Sequence, residues 1–193
     1  MGLRVGVLAL QGAFAAHKDC LTSVGVESLE VRTTEQLASV DALLMPGGES
    51  STMSQLLLSS GLFDVIQIRI TAGMPIFGTC AGMILLASEI IDGRPDQRSF
   101  SAIDISVRRN AFGRQVDSFE SEITTPVGAF HGVFIRAPRI ERVGEGVEVL
   151  GMYENEPVFV RQGNVMAASF HPELAGDARL HEYFVSSVKS QAE

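Results

Sequence analysis

Three short runs of this chain could do covalent chemistry together, and the first centres on Cys80. It stands in Gly78-Thr79-Cys80-Ala81-Gly82, a glycine-x-nucleophile-x-glycine turn. The turn is entered from Met74-Pro75-Ile76-Phe77, which reads as a buried strand. It is left by the apolar run Ala81 to Ile90, which reads as a buried helix. Two glycines let the chain reverse sharply, and such an elbow pushes the side chain between them outward at the strand's carboxyl end. A thiol at a helix N-terminus is favoured as thiolate; free cysteine ionises near ~8.5 and such positions reach roughly 3.5–7.5. Cysteine is more often only a small buried hydrophobe, so a catalytic reading needs partners.

The partners are sought in His171-Pro172-Glu173 and Pro46-Gly47-Gly48-Glu49-Ser50-Ser51. In an extended chain, residues two apart point the same way, so Glu173 can lie beside His171. A carboxylate there fixes the imidazole's tautomer and steadies its charged form. The imidazole can then take the Cys80 proton and later give it to a leaving amine. An HxE run is common, and alone it equally fits a surface histidine beside a solvated glutamate. The paired glycines leave backbone N–H groups open to a substrate. One of them, with the Ala81 N–H, would form an oxyanion hole, where a donor is worth ~2.7–4 kcal/mol. Gly-Gly is also an ordinary turn. A phosphate cradle is the competing function, but neither GxxxxGK[ST] nor GxGxxG is present.

The elements that must position these runs follow from periodicity. Residues 3–10 predict a strand ending at Gln11-Gly12. Phe14, His17, Leu21 and Val24 make the stripe of a helix closed by Gly25, with Cys20 on the same apolar side as core and His17 half-buried without a role. A strand over Glu27–Arg32, a short helix over 34–39 and a strand over 41–46 come next. Thr52 and Gln55 suggest a capping box for a helix ending at Gly61, followed by a helix over 63–72. This alternation implies a parallel sheet covered on both faces, with ligands gathered at the strands' carboxyl ends. Gln11, the Gly47 loop and Cys80 all fall there. After Asp92-Gly93-Arg94-Pro95 the chain turns strand-rich: 103–108, 115–124, 130–136, 147–152, and 157–170 with a hairpin at Gly163-Asn164. A last helix spans about 177–189.

Bulk properties narrow the class. At 193 residues the chain suits one core, and it is expected to form a single domain over 1–193. A net charge of −8 argues against nucleic acid or an anionic membrane as partner. Cys20 and Cys80 form no CxxC pair, so no disulfide framework or metal site is suggested, and a reducing cytoplasm fits. Arg4, VGVLAL and Ala13-Phe14-Ala15 imitate a signal peptide, but the apolar run is only six residues long and reads better as a first strand. No segment reaches membrane-spanning length.

GTCAG followed far downstream by HPE resembles the class I (triad) glutamine amidotransferases. GVLALQG (6–12), PGGESST (46–52), FGTCAG (77–82), RNAFGRQVDSFE (109–120), FIRAP (134–138) and SFHPEL (169–174) are similar to the glutaminase subunit of pyridoxal phosphate synthase. The likeness covers essentially the whole chain, and RNAFGRQ and FIRAP are not general to amidotransferases. It departs at DQRSFSAI (96–103), where that family is Gly/Leu-rich. The resemblance implies an α/β fold: a three-layer, mostly parallel, flavodoxin-like sheet with helices on both faces and added antiparallel strands in the C-terminal half. It implies Cys80, His171 and Glu173 as a catalytic triad hydrolysing L-glutamine to glutamate and ammonia through a thioester. It implies Gly47, Gly48 and Ala81 as oxyanion donors, and Gln11, Gly48, Glu49, Ser50, Arg109, Ile135 and Arg136 as substrate-binding residues. Glu49 suits an ammonium, and an arginine a carboxylate. No cofactor or metal is implied. The implied partner is a barrel-shaped synthase subunit in a large hetero-oligomer that takes up the ammonia.

Three rivals remain at this stage: a glutaminase serving a different synthase, a cysteine hydrolase of the intracellular-protease type, and an idle scaffold of the same fold. In the protease-type group the acidic helper lies early in the chain, whereas His171 and Glu173 form a complete late pair.

Overall fold

The chain's computed structural model describes residues 2–109 and 118–190. The first half alternates as its periodicity dictates. Strand β1 (Arg4–Leu8) leads to helix α1 (Phe14–Ser23), β2 (Glu27–Val31), α2 (Thr34–Ala38) and β3 (Ala42–Met45). Helices α3 (Ser50–Ser59) and α4 (Leu62–Thr71) follow, then β4 (Ile76–Thr79) and α5 (Ala81–Leu86). Gly25, at φ 73°, closes α1 as expected. The capping box falls instead on α2, where Thr33 accepts from the Gln36 N–H and Gln36 reaches back. Helix α3 starts earlier than Thr52 and is capped by Glu49, whose carboxylate accepts from the Ser51 and Thr52 N–H groups.

The helix expected over Ala81 to Ile90 ends at Leu86. Ala87 turns extended (φ −61°, ψ 149°), and Ala87–Ile90 is strand β5. The run is apolar throughout, so no period separates helix from strand, and a tertiary partner decides. That partner is β6 (Ile103–Arg108), pairing Ala87 with Ile103 and Ile90 with Val107. A further strand absent from the sequence reading, β9 (Arg139–Val143), completes a separate three-stranded sheet in the order β5-β6-β9.

The remaining strands are β7 (Phe119–Thr125), β8 (Gly128–Phe134), β10 (Glu148–Tyr153), β11 (Glu156–Gln162) and β12 (Val165–Ala168), with α6 (Arg179–Ser190) last. The expected strand over 115–124 is described only from 118, since residues 110–117 lie outside the described part. The main sheet has nine strands in the order β2-β1-β3-β4-β12-β11-β10-β7-β8. Its first five are parallel and its last four antiparallel, as the α/β reading expects. Alternate residues feed two cores. Leu43 and Met45 face α3, α4, α5 and the small sheet, whereas Ala42 and Leu44 face α1 and α6. The second core is rich in phenylalanine, with Phe77 between Phe159 and Phe184 at ring distances of 5.9 and 5.7 Å. No helix among the described residues is long and apolar enough to cross a membrane.

Candidate active site

Parallel pairing brings the expected loops to one edge. Met45 pairs with Gly78, and Ala168 with Thr79, so the chain leaves β3, β4 and β12 side by side. Gln11-Gly12, Gly47-Gly48, Cys80 and His171 follow the ends of β1, β3, β4 and β12. The antiparallel arm also returns to this edge, because the His171 N–H donates to the Val133 carbonyl of β8 at 2.8 Å. That contact carries Ile135 and Arg136, just beyond β8, to the same cleft. Strand β6 brings Arg109 from the small sheet. The cleft measures about 350 Å³ and is lined by Cys80, His171, the Gly47–Ser50 loop, Arg109, Ile135 and Arg136, among others.

Cys80 has φ 50° and ψ −106°, a conformation costing a non-glycine residue ~1–3 kcal/mol. Its N–H is tied to the Ala168 carbonyl at 2.8 Å, and close glycine packing holds the elbow. A methyl group at Gly78 would stand 2.6 Å from the Gly82 carbonyl carbon, and one at Gly82 would strike the Met45 carbonyl. Helix α5 has only six residues, so its dipole is shorter than the expected ten-residue run would give. His171 Nδ1 is 2.8 Å from Glu173 Oε1, which leaves Nε2 for the thiol. Burial alone would lower the His171 pKa, but hydrogen bonding and charge from Cys80 and Glu173 outweigh it and raise it from 6.5 to about 10. Gly47 lies against the pair: a methyl group there would be 2.5 Å from His171 Cε1 and 3.3 Å from Cys80 Cβ.

The substrate-binding expectations divide. Glu49, Ser50, Arg109, Ile135 and Arg136 line the cleft with Gly47 and Gly48. Gln11 does not. It sits behind the loop, where its Oε1 accepts the Glu49 N–H at 3.1 Å. Ala81 is buried at the first position of α5 and does not line the cleft. Glu49 resists the penalty of burial through hydrogen bonds from Thr52 and Ser51, which bring its pKa down to about 2. Arg136 is exposed, adopts φ 45°, and makes no ion pair among the described residues, so its guanidinium is open to a carboxylate. Arg109 instead donates to Ser51 Oγ at 2.7 Å and stands 3.7 Å from Glu49. Of RNAFGRQ, only Arg109 is among the described residues.

Two features escape sequence reasoning. The first is Gln97, inside the stretch that departs from the expected pattern. Its Nε2 donates to Ser50 Oγ at 3.0 Å, and its Oε1 accepts from Arg109 Nη1 at 3.2 Å. It joins two cleft residues from outside, and a lone glutamine in a loop gave no signal. The second is His17, fully buried rather than half-buried, with Nε2 3.3 Å from Glu173 Oε2. Cys20 reverses the expectation too: it is half-exposed and free, on the rim of a shallow hollow.

The SNO glutamine amidotransferase family model matches residues 7–190. The chain belongs to that family. It is 56% identical over 188 residues to a pyridoxal 5'-phosphate synthase subunit PdxT of Mycobacteroides abscessus, covering 96% of this chain and 97% of the relative. It is 53% identical to the subunit of the same name from Salinispora arenicola, covering 96% of each chain. A crystal structure of a glutamine amidotransferase, 51% identical, superimposes with a TM-score of 0.91 over 96% of this chain and 98% of its own. A putative GMP synthase subunit from Thermoplasma acidophilum, at 15% identity and a TM-score of 0.71 over 100% of this chain and 96% of its own, shares the fold alone. The family assignment and the α/β sheet both agree with the sequence reading.

Proposed function

We propose that this chain is the glutaminase subunit of a pyridoxal phosphate synthase, working as one domain over its whole length. It hydrolyses L-glutamine to glutamate and passes the ammonia to a synthase subunit. The observation carrying the reading is that Cys80, held in its strained elbow, lines one cleft with His171, whose Nδ1 is 2.8 Å from Glu173.

Cys80 thiolate attacks the side-chain carbonyl carbon of glutamine, and the carbonyl electrons move to oxygen. Backbone N–H groups of Gly47, Gly48 and Ala81 receive that oxyanion; Gly47 and Gly48 are cleft residues, and the Ala81 N–H heads α5 unused by any helical bond. The tetrahedral species collapses as His171 Nε2 gives its proton to the departing nitrogen, which leaves as ammonia. A glutamyl thioester remains. Neutral His171 next removes a proton from water, whose oxygen attacks the thioester, and the proton returns through His171 as Cys80 leaves. Glu173 keeps the imidazole in register throughout. Arg136 binds the α-carboxylate and Glu49 the α-ammonium, with Arg109 held beside Glu49 and Ser51 at the same end of the cleft; a carboxylate held near pKa 2 is ionised at every working pH.

Ammonia is protonated in neutral water and lost as a nucleophile, which favours delivery to a docked partner. Relatives at 50–56% identity carry the name of a synthase subunit, which favours this partner over another amidotransferase. The partner is read as a barrel subunit in a large hetero-oligomer, with the complex in the cytoplasm, where two free cysteines are at home. The Gly47-Gly48 peptide is the element we expect docking to reset. Equal glutaminase rates with and without synthase would remove that expectation. The chemical reading is tested by incubating the complex with a diazoketone analogue of glutamine: one adduct at Cys80 is expected, and labelling elsewhere or none contradicts it.

A further inference from the structure

Behind the Cys80-His171-Glu173 set lie two histidines that take no part in these proton transfers. His17 on α1 and His181 on α6 are both fully buried, with His17 Nδ1 2.9 Å from His181 Nε2. His17 Nε2 hydrogen-bonds Thr79 Oγ1 at 3.3 Å, one residue before Cys80, and stands 3.3 Å from Glu173 Oε2 in a close polar contact that is not yet a hydrogen bond. Glu173 Oε1 is occupied by His171, while Oε2 is buried without a well-formed hydrogen bond. A buried carboxylate oxygen in that condition is costly, and a donor 3.3 Å away is placed to tighten onto it as charge develops.

The tautomers are decided by what is left over. His181 Nδ1 is buried and has no partner. If His17 carried its proton on Nδ1, His181 would have to place an N–H at that unpartnered site, and the His17 lone pair would face the carboxylate. With the proton on His17 Nε2, His181 Nε2–H donates to His17 Nδ1, and only a lone pair is left unsatisfied. Orphaned buried N–H groups are rarer than under-satisfied acceptors, so the second arrangement holds.

We propose that His17 is a positioning residue for the reaction: its Nε2–H gives the Glu173 carboxylate a second support, and His181 locks it in that tautomer. This rests on reading Glu173 as the carboxylate of the catalytic set. Both histidines stay neutral: burial, then the charges of His181 and His171, push His17 well below 6.5, and burial brings His181 down to about 4. The groups facing Glu173 are His171 on its own turn, His17 and Cys20 from α1, and His181 from α6 beyond His17, with Asp19 and Asp177 near Cys20. Removing the His17 donor leaves Glu173 Oε2 with nothing facing it, so the carboxylate holds the imidazolium less firmly and that hold fails sooner as the pH falls.

The test measures glutamate release in the complex with synthase for His17→Phe and His17→Gln, the latter keeping an N–H near the Nε2 position. For His17→Phe we expect kcat to fall about tenfold, KM to stay within about twofold, and the acid limb of the kcat profile to move to higher pH. His17→Gln should recover kcat to within about threefold of the parent. An unchanged kcat and acid limb in His17→Phe, or equal losses in both variants, overturns the proposal. Should the variants fail to fold, 15N NMR of the parent's imidazoles decides: neutral His17 with its proton on Nε2 is expected, and a proton on Nδ1 overturns it. Cys80→Ser runs alongside. Turnover surviving there removes the catalytic set itself, whereas its loss there with parental behaviour in His17→Phe removes only the role of His17.

Discussion

At the scale of single residues, the cleft is built from groups that tolerate little change. Gly47 is the sharpest case, since any side chain meets the His171 ring. Gly47→Ala should lower glutamine turnover by about a hundredfold, and cost about 1–3 kcal/mol of stability through overpacking. Chemical denaturation read beside kcat separates the two effects. The buried histidines make a second expectation. His181 is pushed from 6.5 to about 4 by burial, so between those values the unfolded chain takes a proton that the folded chain refuses. The contribution is full above pH 6.5 and is lost as the pH falls toward 4; a shift of that size amounts to roughly 3 kcal/mol. Urea unfolding at pH 7, 6, 5 and 4 should follow that decline, and His181→Gln should flatten it. The residue scale was also where sequence reading was most uneven. Cys80, His171 and Glu173 were legible because a glycine-flanked elbow and an HxE pair are local patterns. His17 was not, since its partners Glu173 and His181 lie 156 and 164 residues away and a histidine on an apolar stripe usually has no role.

At the scale of elements, the loop from Asp92 to Ala102 is held more firmly than its composition suggests. Phe100 stacks on Phe63 at 4.4 Å, Arg98 lies 4.2 Å over the same ring, and Ser54 hydrogen-bonds the Arg98 N–H. These contacts fix Gln97 between Ser50 and Arg109. Gln97→Ala should therefore raise KM for glutamine by about threefold to tenfold and leave kcat nearly unchanged, since it orients binding groups and touches no reacting atom. A fall in kcat with constant KM would contradict that placing. The first four strands and their helices were readable because short runs, mostly apolar and bounded by Gly, Pro or polar residues, alternate with helical stripes. The break at Ala87 was not, because an unbroken apolar run carries no period and β6 competes for the backbone. Strand β9 was missed for a related reason: Arg139–Val143 alternates weakly and gains its ladder only from β6.

At the scale of the molecule, one sheet edge collects loops from four parallel strands, and the antiparallel arm folds back to add Ile135 and Arg136. The phenylalanine-rich core beneath β4 and β12 holds those strands together. Phe77→Ala, which opens a cavity between Phe159 and Phe184, should cost about 3–5 kcal/mol and lower the thermal midpoint by about 10 °C or more. The family and its fold could be anticipated from motifs spread over the whole chain. The way β8 reaches His171 could not, because nothing in the spacing of Val133 and His171 announces their hydrogen bond. The most direct test of the account remains glutamate release from L-glutamine by the chain in complex with its synthase. Cys80→Ala is expected to lose turnover by at least about a thousandfold while still binding synthase. Near-parental glutamate release from that variant would contradict it.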